Sequence, residues 1–236
     1  IDGWTPSNIE TDMRVAEVTE LDRWLISELH GVVRDVTKAL ETWRPETATG
    51  VLERFVDSLS NWYIRRNRRR FWRSTVNSAS KGNVNLDSDK SAAYLTLYQC
   101  LTILTKLLAP FNPFISEALY RNLVGERNSE APRSVHLCDW PVADESLIDE
   151  ELSSATNLAM RLARIGRSAR ASANLRVRQP LAELVVELPN ERDRSNLNLI
   201  KPQLMDELNV KCVREADEIG GLLKATIKPD YKRLGP

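Results

Sequence analysis

The feature that most limits how this chain can fold is an apolar stripe of helical period that runs through its first half and breaks at prolines. Leu21, Leu25, Leu29, Val32, Val36 and Leu40 recur at spacings of three and four, which builds one buried helix face and cannot build a strand face. Thr19 followed by Asp22 offers a capping-box start, and Trp43-Arg44-Pro45 a stop. Pro45 suits the first position of a second helix with the stripe Leu52, Phe55, Val56, Leu59, Trp62 and Tyr63. A loop rich in Ser and Asn is expected from Ser74 to Ser88. A third helix then starts near Asp89, carries Leu97, Leu101, Leu104 and Leu108, and breaks at Pro110 and Pro113. A short fourth helix holds Phe114, Ile115, Ala118 and Leu119. Ser134 to Pro141 reads as an extended crossover, and a fifth helix runs from about Glu145 to Ala171 with Ala155, Leu158, Leu162, Ile165 and Ala169 inward.

Beyond Ser172 the pattern changes. Leu184 to Leu188 reads as a strand, Pro202 to Leu208 as a short helix, and Val210 to Arg214 and Ala225 to Lys228 as two more strands. The expected fold is mainly α: a linker at 1–18, a helical bundle at 19–171, and a small α/β module at 172–236. With 236 residues, 42% of them hydrophobic, the chain can bury a real core. No apolar run is long enough to span a bilayer, and Ile1-Asp2-Gly3-Trp4 is neither basic nor apolar enough for a targeting segment, so a cytoplasmic protein without a membrane partner is expected.

Charge is informative through its distribution. The 33 basic and 33 acidic residues cancel. Yet Ser58 to Leu86 holds no Asp or Glu beside Arg65, Arg66, Arg68, Arg69, Arg70, Arg73 and Lys81. Leu152 to Ala182 again lacks acids beside Arg161, Arg164, Arg167, Arg170, Arg176 and Arg178. Such segregation can turn a basic face to a polyanion while the whole stays neutral. On a helical wheel centred on Leu59, Arg66 and Arg70 fall within about 20° of the apolar stripe, Arg69 and Arg65 lie about 80° and 120° away, and Arg68 is opposite. Arg66 and Arg70 are therefore expected to pair with acids or pack inward. Arg65, Arg68 and Arg69, beside Trp72, suit phosphate contact and base stacking. Centring the fifth helix on Leu158 turns Arg164, Arg167 and Arg170 outward, where they could grip phosphates.

Catalytic constellations are missing from the sequence. His30 and His136 are far from each other and from any cysteine at ligand spacing. Cys100, Cys138 and Cys212 are too scattered for a zinc site or a disulfide framework, and there is no Gly-rich phosphate loop and no nucleophile elbow. No catalytic residue, metal site or cofactor is assigned to this chain.

Asn61-Trp62-Tyr63-Ile64-Arg65-Arg66-Asn67-Arg68-Arg69-Arg70-Phe71-Trp72 resembles the arginine-rich helix of isoleucyl-tRNA synthetases, and Leu21-Asp22-Arg23-Trp24 is similar to the opening of the same anticodon-binding bundle. Leu108-Ala109-Pro110-Phe111-Asn112-Pro113-Phe114 resembles a break shared by the class I enzymes for isoleucine, valine and leucine. Ser134 to Pro141 and Leu175-Arg176-Val177-Arg178-Gln179-Pro180-Leu181 are closer to the isoleucine enzyme. The resemblance implies a bundle of the class I anticodon-binding type, an isoleucine-acceptor tRNA partner, and anticodon readout by groups such as Trp72, Arg176, Arg178 and Gln179. Ile1 to Trp4 resembles the exit from the catalytic domain and Lys228 to Pro236 a segment running on into a further C-terminal region. The resemblance thus implies a piece of a longer chain, whose catalytic domain would be a second partner and would use ATP and magnesium. The ATP-binding signatures of that domain are absent from this sequence. Two other readings stand beside it: the same region of a valine or leucine enzyme, and a helical protein-interaction module whose arginines dock an acidic partner.

Overall fold

A computed structural model describes residues 18–72, 84–125 and 131–216, with side chains from residue 88 in the second stretch. The chain divides into two compact units, Ile1–Ser153 and Ser154–Pro236. Residues 1–17, 74–83 of the expected Ser/Asn loop, and the strand expected at Ala225 to Lys228 lie outside the described residues.

The first unit is helical. Helix α1 (Glu20–Glu41) opens with the capping box: the Thr19 hydroxyl accepts from the Asp22 amide, and the Asp22 carboxylate accepts from the Thr19 amide at 3.0 Å. Its buried face is wider than the expected stripe, taking in Trp24 and Val33 beside Leu25, Leu29, Val32 and Val36. The helix closes through Trp43 in a left-handed conformation at φ 55°, with the Arg44 amide reaching back to the Ala39 carbonyl. Helix α2 (Pro45–Ser58) follows and packs on α1. It passes into a π-helical segment, Leu59–Ile64, and after a turn at Asn67 into α3 (Arg68–Trp72).

Helix α4 (Val84–Leu108) begins earlier than expected from the Asp89 signal and packs on α1 and α3. Pro113 then starts α5 (Pro113–Tyr120), which runs into a π-helical turn at Arg121–Gly125. The face expected to be apolar and inward on this helix is turned out: Phe114 is 89% exposed and Ile115 61%, whereas Ser116 and Tyr120 are buried. Tyr120, with Ala109, Val124 and Val135, forms a small satellite core. Within the crossover, Val135–Leu137 is a 3-10 turn, and Ser27 holds the later Asp149 amide through its hydroxyl at 2.8 Å.

Helix α6 (Glu150–Ser172) starts later than expected, after a separate 3-10 turn at Glu145–Leu147. From Ser154 it belongs to the second unit, so the division falls inside the helix that was expected to close the bundle. There it meets α7 (Glu191–Leu208), which is much longer than the segment anticipated from Pro202 because Pro202 sits inside the helix. Strands β1 (Leu184–Val186) and β2 (Val213–Glu215) flank α7 and pair in parallel, Leu184 opposite Val213 and Val186 opposite Glu215. This β-α-β arrangement buries Val186, Leu188, Leu197, Ile200, Leu204, Leu208, Val210 and Val213.

Candidate nucleic-acid interface

The arginine-rich helix is built from its buried side outward. The wider turns of the π segment place Trp62 and Tyr63 in the core together. The Tyr63 hydroxyl donates to Asp22 at 2.6 Å, and Arg70 clamps the same carboxylate through both terminal nitrogens, each at 2.9 Å. Arg70 also donates to the Asp89 carbonyl at 2.8 Å and ion-pairs with its carboxylate. Burial works against charge on Asp22, but the hydrogen bonds from Arg70, Tyr63 and Thr19 outweigh it and hold its carboxyl below the usual range. Burial, with the Asp22 charge beside it, pushes the Tyr63 phenol up. Phe71 adds an apolar hold, its ring 5.5 Å from Tyr94 and 6.4 Å from Tyr63.

With Arg70 and Phe71 anchored, the rest of the helix is turned out. Arg65, Arg68 and Arg69 are exposed, and Trp72 is 78% exposed. The Arg68 guanidinium lies 5.6 Å from the Trp72 ring, a cation stacked on an aromatic plane at the surface. Arg65 donates to the Asn61 carbonyl at 2.8 Å, and Arg66 is half-buried with its guanidinium 5.0 Å from the Trp62 ring.

In the second unit the expectation for three outward arginines on α6 has to be corrected. The buried residues are Ala155, Thr156, Leu158, Ala159, Ala163 and Arg170, so Ala155 and Leu158 lie inward as expected while the buried face extends round the helix through Ala163 to Arg170. Ile165, expected inward, is 56% exposed, and Ala169 is exposed too. Gly166 lies against the side chain that ends α7: a Cβ there would stand 2.5 Å from Leu208. Arg170, only 5% exposed, is used up inside, donating to the carbonyls of Arg176, Gln179, Leu208 and Asn209. Arg167 is partly engaged by an ion pair with the buried Glu207. Arg164 is exposed and, among the described residues, has no ion-pair partner.

Arg176, Arg178 and Gln179 are all exposed on the segment that leaves α6. Arg176 and Arg178, with Arg167, Leu175 and Val177, border an open cleft of about 600 Å³. Asn209 and Glu207, which support this region, were missed in the sequence. An Asn just past a helix end is a C-cap signal, and Asn209 does sit left-handed at φ 49°, but its side-chain role had no local signature.

Among the described residues no group of three His, Cys, Asp or Glu side chains could hold a metal ion. His30 is buried and accepts from the Asp144 amide at 3.0 Å; burial pushes its pKa down despite the nearby Asp144 charge. Cys100 is buried, Cys138 half-buried and Cys212 exposed, all as thiols. No described helix is long and apolar enough to cross a membrane.

Comparison with known proteins adds the following. Residues 22–186 match the family described as the anticodon-binding domain of tRNA ligase. An isoleucine–tRNA ligase of Dehalococcoides mccartyi is 48% identical over 213 residues, covering 90% of this chain and 20% of its own. Those of Thermobifida fusca and Thermus thermophilus are each 40% identical, over 99% and 92% of this chain and 21% and 20% of their own. The chain spans about a fifth of the length of these curated relatives.

Proposed function

The chain belongs to the family of anticodon-binding domains of tRNA ligases, and from that premise we propose that it binds an isoleucine-acceptor tRNA and reads its anticodon on behalf of an isoleucine–tRNA ligase. The observation that carries this reading is the outward set Arg65, Arg68, Arg69 and Trp72 on a helix whose inner face is locked by Arg70. Guanidinium groups beside an exposed indole offer phosphate contacts and a stacking surface together, which single-stranded RNA loops require. Arg164, Arg176, Arg178 and Gln179 supply the corresponding groups of the second unit, with Arg167 shared between RNA and Glu207. Arg170 is removed from the contact set by its burial.

In this reading residues 1–18 lead from the catalytic domain, 19–171 form the anticodon-binding bundle, and 172–236 form a junction module. The described residues hold no donor set for magnesium and no phosphate loop. In this reading ATP and magnesium are used by the catalytic domain of the longer enzyme, which works in the cytoplasm, and this chain supplies RNA recognition.

The test is a titration of the chain with a labelled isoleucine tRNA transcript beside one with a changed anticodon. Tighter binding of the cognate transcript is expected. Equal binding of both, and of unrelated RNA of similar length, would favour a module that docks an acidic protein partner. Preference for a valine or leucine anticodon would move the chain to the sister enzymes.

A further inference from the structure

The segment that carries Arg176, Arg178 and Gln179 has no regular secondary structure, yet its backbone is held at every residue. The Gln179 amide donates to the Arg176 carbonyl at 3.0 Å and closes a turn. The Arg176 and Gln179 carbonyls accept from one terminal nitrogen of Arg170 at 3.1 and 3.0 Å. The Val177 and Arg178 carbonyls accept from the Asn209 side-chain amide, both at 3.0 Å. The second terminal nitrogen of Arg170 donates to the Leu208 and Asn209 carbonyls, where α7 ends. One buried guanidinium thus ties the turn to a helix terminus, and one left-handed asparagine ties its other two carbonyls to the same place. Because all four carbonyls are drawn toward the protein, the three polar side chains are left exposed.

We propose that Arg170 and Asn209 are positioning residues for anticodon readout: they do not touch RNA, and they hold the 176–179 turn in the shape that presents Arg176, Arg178 and Gln179 to an unpaired loop nucleotide. This rests on the anticodon-reading function above and assigns its selectivity to a pre-formed turn. A loose turn would have to be ordered by the RNA, which weakens every contact that depends on its geometry. Charge attraction to phosphate, by contrast, hardly depends on the turn's shape. The guanidinium is needed because its donors span two backbone segments from one planar group, which an ammonium on a single nitrogen cannot do.

Two variants of the whole chain test this. Arg170→Lys keeps the charge and loses the fork. Asn209→Gly keeps the left-handed backbone that glycine accepts readily, and deletes only the side-chain tie. For each, the exchange rate of the Gln179 amide reports the turn. Binding of cognate and single-base-changed anticodon hairpins, each across a salt series, reports readout. Faster Gln179 exchange is expected, with the cognate preference reduced about tenfold and the salt slope unchanged. If Arg170→Lys fails to fold, Asn209→Gly decides alone. A cognate preference that survives while Gln179 exchange accelerates overturns the positioning role, and so does unaltered exchange. A wild-type chain with no cognate preference defeats the anticodon reading itself, and with it the role assigned to the turn.

Discussion

Removing the Arg70 side chain tests the internal logic of the arginine helix most directly. In Arg70→Ala the Asp22 carboxylate, 0% exposed, keeps its charge-stabilising contacts from Tyr63 and Thr19 but loses a bidentate partner at 2.9 Å on each oxygen. Breaking a buried ion pair by deleting one member costs about 3–5 kcal/mol, chiefly because the other charge is left uncompensated. The Arg70 side chain is 11% exposed, so some water already reaches it and the low end, about 3 kcal/mol, is the better figure. For a unit of this size about 3 kcal/mol lowers Tm by roughly 6–12 °C. The exposed Arg69→Ala should change stability by less than about 0.5 kcal/mol. Calorimetry and urea unfolding of both variants, followed through the buried Trp24 and Trp62, provide the comparison. A third variant, Asp22→Asn with Arg70→Met, removes both charges and should recover much of the loss. Arg70→Ala within 1 kcal/mol of Arg69→Ala would refute the claim that this pair anchors the helix.

The same pair sets an acid dependence. The depressed Asp22 carboxyl contributes stability that is present above its unfolded pKa of about 3.9 and is lost as pH falls through the lower folded value, so acid titrations of the wild type should show a larger drop below about pH 4 than those of the double-neutral variant. Gly166→Ala should destabilise the second unit by about 1–3 kcal/mol, since the added Cβ meets Leu208 at 2.5 Å; a stabilised variant, as helix propensity alone would give, contradicts the close approach of α6 and α7. Arg164→Ala should flatten the log–log salt dependence of RNA binding by about 0.7–0.9, whereas Arg167→Ala should flatten it by less because Glu207 already holds that charge; equal slopes for the two would remove the distinction.

Much of the first unit was legible because its information is local. The Thr19 and Asp22 cap, the stripe from Leu25 to Val36, the proline start of α2 and the proline break that ends α4 are each written within a few residues, and each forms as written. The wheel also separated Arg70 from Arg68 and Arg69, even though a π segment and a turn at Asn67 intervene between Leu59 and Arg70. Asp22 was visible as a cap but not as the anchor of the arginine helix. That role depends on Tyr63 and Arg70, more than forty residues further along.

The expected inward face of α6 holds at Ala155 and Leu158 and fails at Ile165 and Ala169, and the failure has a physical cause. Periodicity weights large apolar residues, so Leu158, Leu162 and Ile165 drew the centre of the wheel. The helix also buries small side chains, Ala155, Ala159 and Ala163, and sets Gly166 against the Leu208 side chain. Once that stripe is inside, Arg170 is carried inward with it, because it is the next residue on the same face. A buried guanidinium is tolerable only with its donors satisfied, and the carbonyls that satisfy them come from the end of α7 and from the 176–179 turn, neither of which exists in the local sequence of α6. The charge run from Arg161 to Arg178 is therefore not one basic surface: Arg170 is an interior fastening, Arg161 and Arg167 are ion-paired with Asp193 and Glu207, and Arg164, Arg176 and Arg178 are exposed. The composition of a basic segment states how much positive charge is present. Which of those charges can meet a phosphate is decided by which of them the fold buries or pairs.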